Sequence, residues 1–183
     1  MAGYIKDVIL SEESLSLARK YCQDHDWERV WQHYNLFHLD RIICSNALEL
    51  EFVKELHTYS RKKHCFGAYF LKYIPGSFTR FHSDNKSELT IVTLIDSVDL
   101  VGGDTLTMAE YERPKGDRPS SQVCKRPPEE DVTPPYGRHI VPDVIDIKTG
   151  ESMVYGPKLQ HGVSKVYNGE RTVLITWFKS KED

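Results

Sequence analysis

With 183 residues, 39% of them hydrophobic and 28% charged, the chain has the size and texture of one globular domain. A formal charge of −3 offers no basic field to a nucleic-acid backbone, and no apolar run is long enough for a membrane span. The start MAGYIKDVIL lacks a signal-peptide core, and Cys22, Cys44, Cys65 and Cys124 form neither a C-x-x-C pair nor a disulfide framework, so a reducing cytoplasm is the expected compartment.

In chain order, Ser11-Glu12-Glu13-Ser14 is a helix start, and Leu15, Leu17, Ala18 and Tyr21 supply an apolar face. His33–Ile43 is expected to be extended in part. A second helix is expected over Ala47–Lys62, where Leu48, Phe52, Val53, Leu56 and Tyr59 recur at helical spacing. From Ala68 the texture becomes β-rich: Tyr69–Ile74, Phe78–Phe81, Leu89–Ile95, Thr105–Met108, Val144–Ile147, Ser152–Tyr155, Gly162–Tyr167 and Thr172–Phe178. Turn residues punctuate these runs at Pro75-Gly76, Gly102-Gly103, Thr149-Gly150 and Asn168-Gly169, and the first and last are expected to close hairpins. The order of elements suggests a mainly β fold with flanking N-terminal helices, a β-sandwich or jelly roll. Residues 1–183 are read as a single domain, with a helical buttress over 1–66 and a β-rich core over 67–179. Tyr111–Arg138 holds six of the nine prolines and dense charge, and is a long surface loop, either a spacer or a lid over substrate.

His82-Ser83-Asp84, followed by His161, supplies two imidazoles and a carboxylate, the ligand set of a facial triad that leaves open positions on Fe(II). The bare motif is cheap. Eight histidines and thirteen aspartates make roughly 0.6 H-x-D tripeptides by chance, and His38-Leu39-Asp40 is a second copy. On a strand, residues i and i+2 share a side, so either pair could chelate a metal. Strand context favours His82, and His38 is read as a core or surface histidine. Arg171, ten residues past His161, could fork bidentately onto one end of a dicarboxylate such as 2-oxoglutarate, which lysine could not match. The Asn168-Gly169 hairpin is expected to bring it next to His161.

FLKYIPGSFTRFHSDN, GGDTL and HGVSKVYNGERTVLITWF together resemble the 2-oxoglutarate- and Fe(II)-dependent dioxygenases, most closely their prolyl 4-hydroxylase branch. The likeness covers residues 67–110 and 144–179. It implies a double-stranded β-helix (jelly-roll, cupin-like) core, with His82, Asp84 and His161 as iron ligands and no catalytic residue beyond them. It also implies Arg171 as the anchor of the 2-oxoglutarate C5-carboxylate, O2 as the second co-substrate and ascorbate as an accessory reductant. Tyr73 either hydrogen-bonds the co-substrate, as in this branch, or is an ordinary strand residue. Trp177 matches a family tryptophan whose role is core packing or flanking the pocket. Asn85 follows the triad aspartate as in several relatives and is a candidate to support it. Leu94 departs from the hydroxylated residue that some relatives carry there, and Thr93 or Thr90 is the candidate replacement.

The implied reaction decarboxylates 2-oxoglutarate to succinate and CO2 and hydroxylates a substrate, a prolyl or other peptide residue ahead of a free amino acid or small metabolite. Related halogenases replace the triad carboxylate with a small residue, whereas Asp84 is retained here. The nucleic-acid dealkylases carry a second arginine six residues after the first, where this chain has Trp177. A cupin-like metal protein would not need Arg171, and a non-catalytic binding module would be expected to lose a triad member.

Overall fold

A computed structural model describes residues 3–31, 37–108 and 143–181 of the chain. Its first strand, β1 (Tyr4–Asp7), precedes helix α1 (Glu12–Asp24). The Ser11 hydroxyl accepts from the Ser14 amide at 3.1 Å, and Glu55 in turn holds the Ser11 amide and hydroxyl at 2.8 and 2.7 Å. This cap satisfies an otherwise orphaned helical N–H. The second expected helix divides into a 3₁₀ turn, Ala47–Glu49, and α2 (Glu51–Tyr59). Leu50 between them is extended, and Arg61 and Lys62 have positive φ, which ends the helix ahead of Lys62.

Strands β2 (Glu28–Trp31), β3 (Phe37–Ile43), β4 (His64–Tyr73), β5 (Phe78–His82) and β6 (Leu89–Gly102) follow. After β7 (Thr105–Met108) come β8 (Asp143–Ile145), β9 (Ser152–Tyr155), β10 (Gln160–Val163) and β11 (Val166–Lys179). The first 66 residues, expected as a helical buttress, thus also supply three complete strands, β1, β2 and β3. The order is β1-β9-β6-β11-β4-β3-β5-β10-β7-β8, with β2 on β3, and every pairing is antiparallel. Because β3 pairs with both β4 and β5, the sheet curls into a jelly-roll core.

Both expected hairpins are absent. Asp40–Ile43 pair with β4 while Phe37 and His38 pair with β5, both antiparallel, so β4 and β5 run in the same direction. Pro75-Gly76 is a jog between them, where the Gly76 amide donates to Val166 O and the Val166 amide to Ser77 O, at 2.8 and 2.9 Å. Asn168-Gly169 likewise reverses nothing: it is an irregularity inside the continuous strand β11, with register shifts on both sides and Gly169 at φ +73°. A side chain there would meet Val98 O and Asp99 O, so glycine suits a bulge in this position.

Strand alternation divides the core in two. Phe70, Ile91, Leu174 and Phe178 pack outward against Leu15, Ala18, Phe52, Val53 and Leu56 of the helices. Residues of the opposite parity on the same strands, among them Leu71, Val92, Val173 and Ile175, line a cavity inside the roll. Each fully buried aliphatic side chain of the outward cluster, such as Val53 or Leu174, contributes roughly 1.5–3 kcal/mol. Among the described residues, no helix is long and apolar enough to cross a membrane. The Tyr111–Arg138 loop and Cys124 lie outside the described residues.

Candidate metal centre

His82 ends β5 and His161 lies directly opposite it on β10, their ring centroids 4.3 Å apart. Each imidazole places Nδ1 against a carbonyl two residues earlier: Arg80 O at 2.8 Å for His82 and Leu159 O at 2.9 Å for His161. A carbonyl can only accept, so Nδ1 carries the proton in both rings and the Nε2 lone pairs are free to bind a metal. Asp84, in the loop after β5, lies with Oδ1 3.4 Å from His82 Nε2 and Oδ2 3.7 Å from His161 Nε2. The three donor atoms all lie within 4.8 Å of one another. Two imidazoles and a carboxylate converging in this way fit a first-row divalent ion such as Fe(II).

The electrostatics match that donor set. Burial pushes the His161 pKa down to about 4, helped by the His82 imidazole, so its ring is neutral at physiological pH. Burial works to raise the Asp84 pKa, but the neighbouring His82 and His161 rings and the Trp177 indole overcome it and hold the carboxyl well below its ordinary range.

Asp84 Oδ2 is gripped by one cross-strand row. Trp177 on β11 pairs with Thr90 on β6, and Thr90 pairs with Tyr155 on β9. All three donate to that oxygen: Trp177 Nε1 and Thr90 Oγ1 at 3.1 Å and Tyr155 Oη at 3.2 Å. Trp177, read from sequence as core packing or a pocket flank, both lines the cavity and bonds the carboxylate. Thr90 serves Asp84 rather than Arg171.

Arg171 is buried on β11 and lines the same cavity as the two histidines, although β10 and β11 do not pair. Its Nη1 donates to Gly103 O at 2.8 Å and its Nη2 to Thr105 Oγ1 at 2.7 Å. Among the described residues no carboxylate lies within 4.0 Å of it, although burial lowers its pKa from a very high ordinary value. Its cross-strand partner is Tyr73, whose ring centroid is 5.7 Å from Arg171 Cζ and whose hydroxyl shares a 2.8 Å hydrogen bond with Thr79. The cavity measures about 170 Å³, with mostly apolar and aromatic walls.

Other sequence candidates lie elsewhere. Thr93 points away from the cavity and bonds Ser152 at 2.6 Å, because β6 alternation aims Thr90 and Val92 inward instead. Asn85 is exposed and does not line the cavity. His38 is buried beside Phe78, ring centroids 5.0 Å apart, and Asp40 pairs with Arg29 at 3.4 Å. Thr105 and Tyr155 were not singled out from sequence. The available signals were the G-G-D-T turn ahead of β7 and a tyrosine six residues before His161.

No family model and no curated protein matches the chain. Solved structures do. A Pseudomonas putida prolyl-4-hydroxylase aligns with TM-score 0.63 at 12% identity, over 98% of this chain and 94% of that one. A viral collagen prolyl hydroxylase from Paramecium Bursaria Chlorella virus-1, in a 2OG complex, aligns with TM-score 0.61 at 14% identity, over 97% and 96%. HygX from Streptomyces hygroscopicus, with nickel, 2-oxoglutarate and hygromycin B bound, aligns with TM-score 0.66 at 11% identity, over 98% and 83%. The chain therefore has the jelly-roll fold of the 2OG-Fe(II) oxygenases and resembles their prolyl hydroxylases.

Proposed function

We propose that this chain is an Fe(II)- and 2-oxoglutarate-dependent dioxygenase that hydroxylates a prolyl or other residue in a peptide or protein. One observation carries the reading: His82 and His161, whose donor atoms converge with that of Asp84, line a cavity with a buried arginine that no carboxylate within 4.0 Å neutralises among the described residues. Asp104 acts on this buried guanidinium without closing an ion pair with it, and an incoming carboxylate is its natural direct partner.

His82, Asp84 and His161 would hold the iron, with Thr90 and Trp177 fixing the carboxylate. Arg171, itself oriented by Gly103 O and Thr105, would take the distal carboxylate of 2-oxoglutarate in a forked pair. Tyr73 borders that anion site, and the apolar walls exclude water from it. Iron held there supplies the oxygen chemistry that turns 2-oxoglutarate into succinate and CO2 and delivers a hydroxyl group to substrate. Residues 1–183 would act as one catalytic domain, and the free thiols Cys22, Cys44 and Cys65 support a reducing, cytoplasmic setting.

Apolar walls around Val92, Ile147, Met153 and Ile175 favour a second reading, hydroxylation of a small apolar molecule by the same machinery. Among the structural neighbours, HygX binds hygromycin B and a Trichoplax adhaerens prolyl hydroxylase binds a peptide fragment. Anaerobic Fe(II) with 2-oxoglutarate should give a weak visible metal-to-ligand charge-transfer band, lost in His82→Ala and weakened in Arg171→Ala. No band in the wild-type protein at high co-substrate sinks the oxygenase reading. Succinate release over proline-containing peptides then separates the substrates: turnover uncoupled from every peptide moves the assignment to the small molecule.

A further inference from the structure

Two arginines line the cavity, Arg41 and Arg171, and among the described residues no aspartate or glutamate lines it. Different partners hold them. Arg171 is fixed by Gly103 and Thr105, whereas Arg41, on β3 opposite Leu71 of β4, has its Cζ 5.8 Å from the Tyr69 ring centroid. The Tyr69 ring meets that of Trp177 edge-on at 5.0 Å, and the Trp177 indole holds Asp84. This run of contacts carries the wall from Arg41 to a metal ligand. The Arg41 side chain is 27% exposed, at the cavity mouth.

Within the chain Arg41 is lightly engaged. Its Nε donates to Glu28 Oε2 at 3.0 Å, and the Glu28 side chain is itself 59% exposed. An ion pair this open to water contributes little. Among the described residues that contact is the one hydrogen bond of the guanidinium, so its Nη donors, which suit a carboxylate or phosphate, are unused. Charge points the same way. On the oxygenase reading a divalent iron, the Asp84 carboxylate, a doubly charged 2-oxoglutarate and the Arg171 guanidinium cancel one another. The charge of Arg41 is then left over beside mostly apolar walls. One anionic group on the substrate would balance it, and a cationic substrate would be repelled.

We propose that Arg41 is a specificity-determining residue that selects a substrate bearing a carboxylate or other anionic group. The proposal rests on the oxygenase reading and names the substrate class for it. The Arg41 Nη groups fork onto the anion, and Glu28 gives way to solvent. An acidic side chain beside a peptidyl target and the free carboxylate of a small apolar acid present the same chemistry.

Succinate release by the iron-loaded full chain with 2-oxoglutarate in air tests this over matched probes. These are acetylated, amidated peptides in which Glu, Gln or Lys adjoins proline, and octanoate beside octanamide. The anionic member of at least one set should exceed its neutral counterpart in kcat/KM by about 10–100-fold, the range of a charge-assisted pair. Most of that difference should lie in KM. A preference among the peptides identifies an acidic side chain as the source, and one for octanoate a free carboxylate; either supports the proposal. Arg41→Gln, its fold checked by the anaerobic charge-transfer band, should level each set. Glu28→Gln, which removes the rival carboxylate from an exposed position, should keep or raise the preference. No anionic preference in wild-type protein, its survival in Arg41→Gln, or its loss in Glu28→Gln overturns the proposal, and a wild-type charge-transfer band then leaves the oxygenase reading standing. Without that band both fall.

Discussion

The indole N–H of Trp177 donates to Asp84 Oδ2 across 3.1 Å, joining the last strand of the fold to the loop after β5. The two residues are 93 positions apart, and only the curl of the sheet brings them together. Trp177→Phe keeps an aromatic ring on the strand and removes the indole N–H donor. Metal affinity, measured by chelator competition with Co(II), should fall about 10–100-fold, the usual cost of losing a support behind a metal ligand. Unchanged affinity would mean that Thr90 and Tyr155 hold the carboxylate without it.

Arg171→Lys keeps the charge but loses the planar fork and its grip on Gly103 O and Thr105. Affinity for 2-oxoglutarate, read from the anaerobic charge-transfer titration, should drop by about 10–100-fold. Metal affinity should stay within error. A parallel loss of metal binding would show that Arg171 shapes the metal centre rather than an anion site.

Gly162 lies on β10 directly after His161, and an added Cβ would sit 2.8 Å from Thr79 O on β5. Gly162→Ala must push the two strands apart, and with them the two histidines. Urea unfolding should show a loss of about 1–3 kcal/mol, typical of overpacking. Metal uptake should weaken too. Normal stability together with normal uptake would show that the β5–β10 spacing is not critical.

The metal-free protein should lose stability on mild acidification. His161 titrates near 4 when folded, against an ordinary 6.5, so below pH 6.5 the unfolded chain takes up a proton that the folded chain refuses. Its stabilisation is complete above pH 6.5 and falls away as the pH drops toward about 4. Asp84, with its pKa depressed, adds a further loss below its ordinary 3.8. Calorimetric Tm measured from pH 7 to pH 4.5 should therefore decline, and His161→Gln should flatten the decline. Parallel curves for the two proteins would remove His161 as the cause.

Local and periodic features are legible in the residues alone. The Ser11 cap, the apolar face of α1 and the i, i+2 spacing of His82 and Asp84 need no distant partner. Strand alternation likewise determined that Arg171, Val173, Ile175 and Trp177 share one face. Strand pairing, by contrast, depends on contacts between distant segments. Pro75-Gly76 and Asn168-Gly169 can each serve a hairpin or a jog within a strand, because the same backbone freedom suits both. Here β3 claims both β4 and β5, while β4 and β6 flank β11, so neither pair turns back. The same non-local register chose Thr105 over Thr93 as the partner of Arg171, and aligned Trp177, Thr90 and Tyr155 on one carboxylate oxygen. Hydrogen bonds between strands far apart in sequence set those contacts, and no spacing within a single strand encodes them.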